Sequence, residues 1–160
     1  MTLRGRAMQL ALVALLWRGV AGPYDIVLLP GPRVPGAEGD ARLLFASSPF
    51  GVAVTADGRH IYDIRITARG LPDPRTLGAF RNYVAWEVTP ELDRWHRLGV
   101  VRNGVTTVGQ ADWNKFLVVI TAEPDSAPAT HSGPTVLHGT SPSGWLQTFL
   151  THPLFRGISQ

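Results

Sequence analysis

Residues 116–122 read FLVVITA, and this stretch decides the fold. Its apolar residues run without a break through Ile120, so both faces of an extended chain would carry apolar side chains here. A strand with two apolar faces is typical of the interior of a sheet, because both faces need cover. The stretch therefore predicts a central β-strand.

Shorter runs of strand-forming residues lie on either side of this stretch. Asn103-Gly104 is a hairpin signal, and Asp57-Gly58 turns the chain between two earlier alternating runs, which predicts a hairpin there as well. The additional predicted strands are 50–54, 62–68, 83–88, 97–101, 105–108 and 135–138. About seven short strands with few helical patterns predict an all-β fold, either a sandwich or a barrel. We take an antiparallel β-sandwich with an immunoglobulin-like layout as the expected architecture.

The N-terminal 21 residues have the layout of a secretory signal peptide. Two arginines precede an apolar run, and small residues lead to a cleavage point after Ala21. As a helix, residues 7–17 would be only about 16 Å long, too short to span a bilayer alone. Arg18 is unusual next to a cleavage point, so a short apolar helix retained at the membrane surface is a second interpretation. Either interpretation predicts export to the periplasm.

The rest of the chain divides by composition. Residues 22–40 contain four glycines and four prolines, which predicts an extended linker with at most one edge strand. Residues 41–140 form the predicted β-sandwich domain, and residues 141–160 form a C-terminal amphipathic tail. At 160 residues, the chain has room for one domain with its own core.

The C-terminal tail carries an apolar stripe at helical spacing. Its members are expected interaction residues, with one further aromatic residue after a proline: Trp145, Leu146, Phe149, Leu150 and Phe155. A short helix with this stripe could fold back onto the domain, or it could dock on a membrane protein or on the bilayer surface.

Composition excludes several function classes. The chain has no cysteine, which excludes disulfides, thiolate catalysis, Cys-ligated zinc and blue-copper sites. Three arginines in the first eighteen residues account for the net charge of +3, because the remaining twelve basic residues are matched by twelve acidic ones. Nucleic-acid binding needs basic residues clustered on one face, whereas Lys115 is the only lysine and the arginines are scattered. We therefore expect no nucleic-acid partner.

Motifs of common enzyme classes are also absent from the sequence. It contains no P-loop, no dinucleotide-binding glycine motif, no H-E-x-x-H and no G-x-S-x-G, so we expect no catalytic residues and no cofactor. His131 and His138, with Glu123 or Asp125, could supply ligands to zinc or copper. Two histidines seven residues apart without a third fixed ligand are a weak pattern, and ordinary hydrogen bonding is the other interpretation. The two histidines are candidate metal ligands, but no metal is expected.

One segment of the sequence resembles a known family. The matching features, between about residues 70 and 140, are a strand with Tyr83 and Trp86, Gly99 in a hairpin, and a run with Glu123-Pro124, Ser126, Pro128, Thr130, Gly133-Pro134 and Val136. This pattern is similar to the extracytoplasmic β-sandwich domain of anti-sigma-K-type factors, where a V-T-x-E-P-x-G-S-x-x-P-T-G-P run closes the sheet. The family's Gly-Gly-Ser becomes Asp125-Ser126, and His131-Ser132 intervene before Gly133. Only about nine residues precede the apolar run, so the resemblance implies the outer module without a sigma-binding domain. That module is not an enzyme, and no catalytic or metal residue transfers from it.

These observations predict a non-enzymatic, exported binding or structural module. We expect an accessory subunit at the outer, periplasmic face of a bacterial membrane protein complex, whether respiratory, photosynthetic or involved in transport, with contact to the membrane surface as a further possibility. The alternative is a periplasmic metal-binding or ligand-sensing protein related to anti-sigma outer domains.

Overall fold

The structure, a computed structural model, describes Gly22 and residues 24–142. In this range the chain is mostly antiparallel β, which confirms the all-β prediction. The strands are β1 (Asp25–Pro30), β2 (Glu38–Phe45), β3 (Ser47–Ser48), β4 (Gly51–Val52), β5 (Tyr62–Arg69), β6 (Asn82–Val88), β7 (Trp95–Val101), β8 (Gly104–Ala111), β9 (Leu117–Glu123) and β10 (Thr135–Thr140). A single 3-10 turn among the described residues, Pro74–Leu77, lies between β5 and β6.

Eight strands form one antiparallel sheet in the order β7-β6-β9-β10-β1-β2-β5-β8, and β3 and β4 form a separate two-residue pair. The two outermost strands, β7 and β8, are consecutive in the chain and run close together. A Cβ on Gly109 in β8 would lie only 2.8 Å from the carbonyl oxygen of Leu98 in β7. The sheet is therefore nearly closed, which leaves little exposed strand edge.

The main core lies inside this nearly closed sheet and receives side chains from all eight strands. Val118, Ile120 and Ala122 come from β9, which pairs with β6 on one side and β10 on the other. A second, smaller cluster covers the outer face of β6 and β9: Val84, Trp86, Val88 and Val119. We call it the outer cluster. Both faces of β9 are thus buried, and the prediction of a central strand is confirmed.

The linker prediction for residues 22–40 is wrong. This segment contains β1 and the start of β2, and β1 lies between β10 and β2 in the sheet. Ile26 and Leu28 are almost completely buried in the main core. Pro30 tolerates this because it stands at the end of β1, and Pro32 and Pro35 because they lie in the turns at residues 31–37, where no ladder hydrogen bond is lost.

The strands of the two predicted hairpins do not pair with each other as predicted. β5 buries Ile64 and Ile66 as expected, but it pairs with β2 and β8 and not with residues 50–54. Residues 46–61 form an excursion from the sheet in which Phe50 is fully exposed. The chain does turn at Asn103-Gly104, but β7 pairs with β6 and β8 pairs with β5. Residues 50–54 alternate in polarity like a strand with one buried face. Periodicity alone does not show whether another part of the chain covers that face.

The two ends of the sheet carry different connections. At the near end, where β1 begins and β10 ends, these are residues 46–61, 89–94 and 112–116. At the far end they are residues 31–37, 70–81, 102–103 and 124–134. A strand of six to eight residues spans roughly 20–27 Å, which sets the separation of the two ends.

Several predictions fall on residues outside the described range. These are the signal peptide or apolar helix at residues 1–21, the helix of the C-terminal tail, and the five interaction residues Trp145, Leu146, Phe149, Leu150 and Phe155. Within the described residues, no helix has the length and apolar character needed to cross a bilayer.

Candidate functional site

Glu123 organises the polar loop that follows the central strand. It is the last residue of β9 and is fully buried. Its carboxylate accepts hydrogen bonds from Thr121 Oγ1 at 2.6 Å, from Ser132 Oγ at 2.6 Å and from the backbone N–H groups of Ser132 and Gly133. Burial raises the pKa of Glu123, but these donors outweigh burial and hold its pKa below the ordinary value. The carboxylate therefore holds the end of loop 124–134 against β9.

His131 packs on the outer cluster. Its ring stacks on the ring of Trp95, with centroids 3.6 Å apart and an interplanar angle of 22°, and it meets Trp86 edge-on. Trp86 is fully buried, and its indole N–H donates to Thr121 Oγ1 at 2.8 Å. A continuous set of contacts thus joins His131, the two tryptophans and the Glu123 carboxylate. His131 covers aromatic surface in this arrangement.

His138 lies elsewhere, on β10, with an exposed side chain. Its cross-strand partners are Val119 on β9 and Leu29 on β1, neither of which is a metal ligand. Among residues 24–142, no group of three or more histidine and acidic side chains is arranged to hold a metal ion. The structure accordingly gives His131 and His138 separate surroundings.

Glu87 is a residue that sequence reasoning missed. It is fully buried on β6; Oε1 accepts the backbone N–H of Trp113 at 3.0 Å, while Oε2 has no hydrogen-bond partner in the described part of the chain. Burial raises the pKa of Glu87 to about 7; the Trp113 N–H opposes this rise, and the nearby charge of Asp112 adds to it. One feature of the sequence could have pointed to Glu87: it is the only charged residue in the strand Asn82–Val88.

Exposed apolar side chains concentrate at the near end. Phe50 has its whole side chain in solvent, and Leu92 stands at the β6–β7 turn with a positive φ of 62°. The near-end apolar patch consists of Tyr24, Phe45, Phe50, Val52, Val54 and Leu92. The other exposed large hydrophobic residues in the described range lie on the outer face of β1 or at the far end: Val27, Leu29 and Val105. The patch is thus a property of one end of the sheet.

Ring contacts support part of this patch. The Phe45 ring lies 5.2 Å from the rings of Tyr24, His60 and Tyr62, measured between centroids. Such aromatic packing fixes side chains at the base of the 46–61 excursion, where Phe45 precedes it and His60 lies near its end. The exposed residues of the excursion are therefore attached to an ordered aromatic base.

The near end is also where the described domain joins the rest of the chain. Tyr24 stands just before β1, and Pro142 follows β10, so the segments 1–21 and 143–160 both continue from this end. The first segment contains the apolar run, and the second contains the apolar stripe of the C-terminal tail. The points at which both segments join the described domain therefore lie at the same end of the sheet as the near-end apolar patch.

No family model, curated protein or solved structure matches this chain. The resemblance to the outer domain of anti-sigma-K-type factors stays a prediction.

Proposed function

We propose that this chain is an exported, non-enzymatic binding module that attaches through its near end to a membrane protein complex, on the periplasmic face of a bacterial membrane. The near-end apolar patch carries the proposal. Single exposed hydrophobic residues are common on protein surfaces, whereas a group of them at one end of a domain is typical of an interaction site. Burying a phenylalanine side chain contributes about 1.5–3 kcal/mol, so Phe50 is the expected anchor.

The points where the flanking segments join the domain support the same attachment. Residues 1–21, if they are retained, join the domain before Tyr24 at the near end, and residues 143–160 follow Pro142 at the same end. A partner that covers the patch would meet both segments without a long linker.

We include the immunoglobulin-like sandwich in the proposal: β7-β6-β9-β10 and β1-β2-β5-β8 would be its two layers, with β1 joining them.

Site-specific photocrosslinking in intact cells of the native host tests this attachment. A photoreactive phenylalanine analogue replaces Phe50 or, in a second variant, Val54, and the matched control carries it at Val105, which is 67% exposed at the far end. We expect the same membrane protein to crosslink from both near-end positions and not from position 105. Equal crosslinking from all three positions, or none from any, would contradict the proposal. The mass of the protein purified from its host shows whether residues 1–21 are removed, and their removal would indicate export.

The metal-binding alternative has a direct test. Zinc and copper are measured in the protein purified from its host, and again in a variant carrying His131→Ala and His138→Ala. Our proposal predicts no stoichiometric metal in either protein. A stoichiometric metal that is lost on substitution would replace the proposal with the alternative.

A further inference from the structure

A groove of about 270 Å³ lies at the far end, between the connection that follows β5 and the β6–β7 strand pair. Its floor is apolar, since Leu71, Tyr83 and Val101 are buried there. Two arginines, Arg81 and Arg102, also line the groove, and both are exposed. The groove therefore combines an apolar floor with cationic groups.

Hydrogen bonds between distant parts of the chain fix the wall of this groove. The Asn103 carboxamide binds the backbone of Leu71 twice: it accepts the N–H at 3.0 Å and donates to the carbonyl oxygen at 2.7 Å. The Tyr83 hydroxyl donates to the carbonyl oxygen of Pro72 at 3.0 Å. Three bonds thus tie one wall to β6 and to the β7–β8 connection on the other side. A preformed groove binds a ligand with less ordering cost than a flexible one.

The two arginines lack acidic partners in the described part of the chain. The register of β6 and β7 pairs Tyr83 with Val101, so Arg81 and Arg102 lie just outside the far ends of these two neighbouring strands. Among the described residues, the ion pairs involve other arginines, Arg42 and Arg59. The acid nearest in sequence to this wall, Asp73, accepts the N–H of Arg75, and burial, together with the charge of Asp73, raises the pKa of Tyr83 on the groove floor. Two guanidinium groups line the groove against this one nearby carboxylate, and the excess of positive charge favours an anionic occupant.

We propose that this groove binds an acidic peptide segment of a protein partner. One carboxylate would bind Arg81 and Arg102, because guanidinium groups recognise carboxylates through paired hydrogen bonds. A neighbouring apolar side chain of the peptide would lie on the floor formed by Leu71 and Val101. The site is roughly 20–27 Å from the near end, so it stays accessible when the near end is attached to a membrane complex. This inference does not depend on the proposed function.

Titration of the full chain, followed by amide and arginine Nε–H signals in NMR spectra, tests the groove. The probes are acetyl-Leu-Glu-Leu-Glu-amide, its counterpart with glutamine in place of both glutamates, and inorganic phosphate, at an ionic strength of about 0.01 M, where charge interactions are weakly screened. We expect saturable shifts centred on Arg81, Arg102 and Tyr83 with the acidic peptide, and binding of the glutamine peptide weaker by about tenfold or more.

The variant that removes both charges is Arg81→Gln with Arg102→Gln, and its matched control is Arg65→Gln on the exposed face of β5. The double variant should lose the shifts, and the control should keep them. Equal binding of both peptides, or phosphate binding as tight as the acidic peptide, would overturn the proposal. Failure of the near-end crosslinks would leave it intact, because this experiment contains no membrane.

Discussion

Glu87 and Glu123 are both fully buried, yet their surroundings shift their pKa values in opposite directions. Glu123 receives donors from Thr121, Ser132 and Gly133, whereas Glu87 receives one backbone N–H and leaves Oε2 without a partner among the described residues. Burial disfavours the charged form at both sites. The number of donors decides whether the carboxylate stays charged near neutral pH.

The comparison also separates two uses of a buried acid. Glu123 stands where a loop must be held, and its charge is matched by groups of that loop. Glu87 links β6 to the β8–β9 connection through Trp113, but its charged form has little compensation. We infer that the first carboxylate stabilises the fold at neutral pH and that the second lowers its stability there.

Replacement of Glu123 tests the comparison most strongly. Glu123→Ala leaves three backbone and side-chain donors of the loop without their acceptor and opens a space beside β9. We expect the free energy of unfolding to fall by about 3 kcal/mol at pH 7, measured by urea denaturation. Asp125→Ala, at an exposed position two residues away, is the control and should change it by less than about 0.5 kcal/mol.

Measuring the same two proteins at acid pH tests whether the charge of Glu123 causes the effect. Because the pKa of Glu123 is lower in the folded protein than in the unfolded chain, its contribution is present above the ordinary value of 4.5 and is lost as pH falls through the lowered folded value. The difference between the wild-type protein and Glu123→Ala should therefore shrink at acid pH. A difference that stays constant down to the lowest pH at which the protein folds would contradict the charge argument.

Glu87→Gln is expected to raise stability at high pH. Folded Glu87 holds its proton up to a pH of about 7, and the unfolded chain does so only up to 4.5, so the free energy of unfolding of the wild-type protein decreases as pH rises between these values. Glutamine keeps an oxygen for the Trp113 N–H and carries no charge. We expect Glu87→Gln to be more stable than wild type by about 2 kcal/mol at pH 8 and nearly equal to it at pH 4. Equal stabilities at pH 8 would show that the charge is compensated.

Sequence patterns predicted the fold better than the site. The two-sided apolar stretch at 116–122 gave the central strand, since such a strand must be covered on both faces. The prolines of residues 22–40 led to the wrong linker prediction and β1 was missed, because composition does not distinguish a linker from a short strand bounded by turns. The surroundings of Glu123 and Glu87 could not be predicted, since their partners at Ser132 and Trp113 are nine and twenty-six residues away in sequence.

Thr121→Val tests the link between the Glu123 carboxylate and the outer cluster. Thr121 accepts the indole N–H of Trp86 and donates to Glu123, and valine keeps its shape without either bond. We expect a loss of about 1–2 kcal/mol in the free energy of unfolding, because a buried indole N–H and a charged acceptor each lose a partner. Thr67→Val, a partly exposed position on β5, serves as the control. A loss as large as that of Glu123→Ala would mean that Thr121 carries the loop attachment.

His131→Ala has the smallest expected effect and separates packing from metal binding. Removal of the imidazole uncovers Trp95 and the edge of Trp86, but it leaves every hydrogen bond to Glu123 in place. We expect a loss of about 0.5–1 kcal/mol and a red shift of tryptophan fluorescence, because Trp95 gains contact with water. His138→Ala, on the exposed side of β10, should change neither quantity. If both substitutions instead lowered stability equally, and only when zinc or copper was present, the stack would be incidental and the two histidines would share a metal.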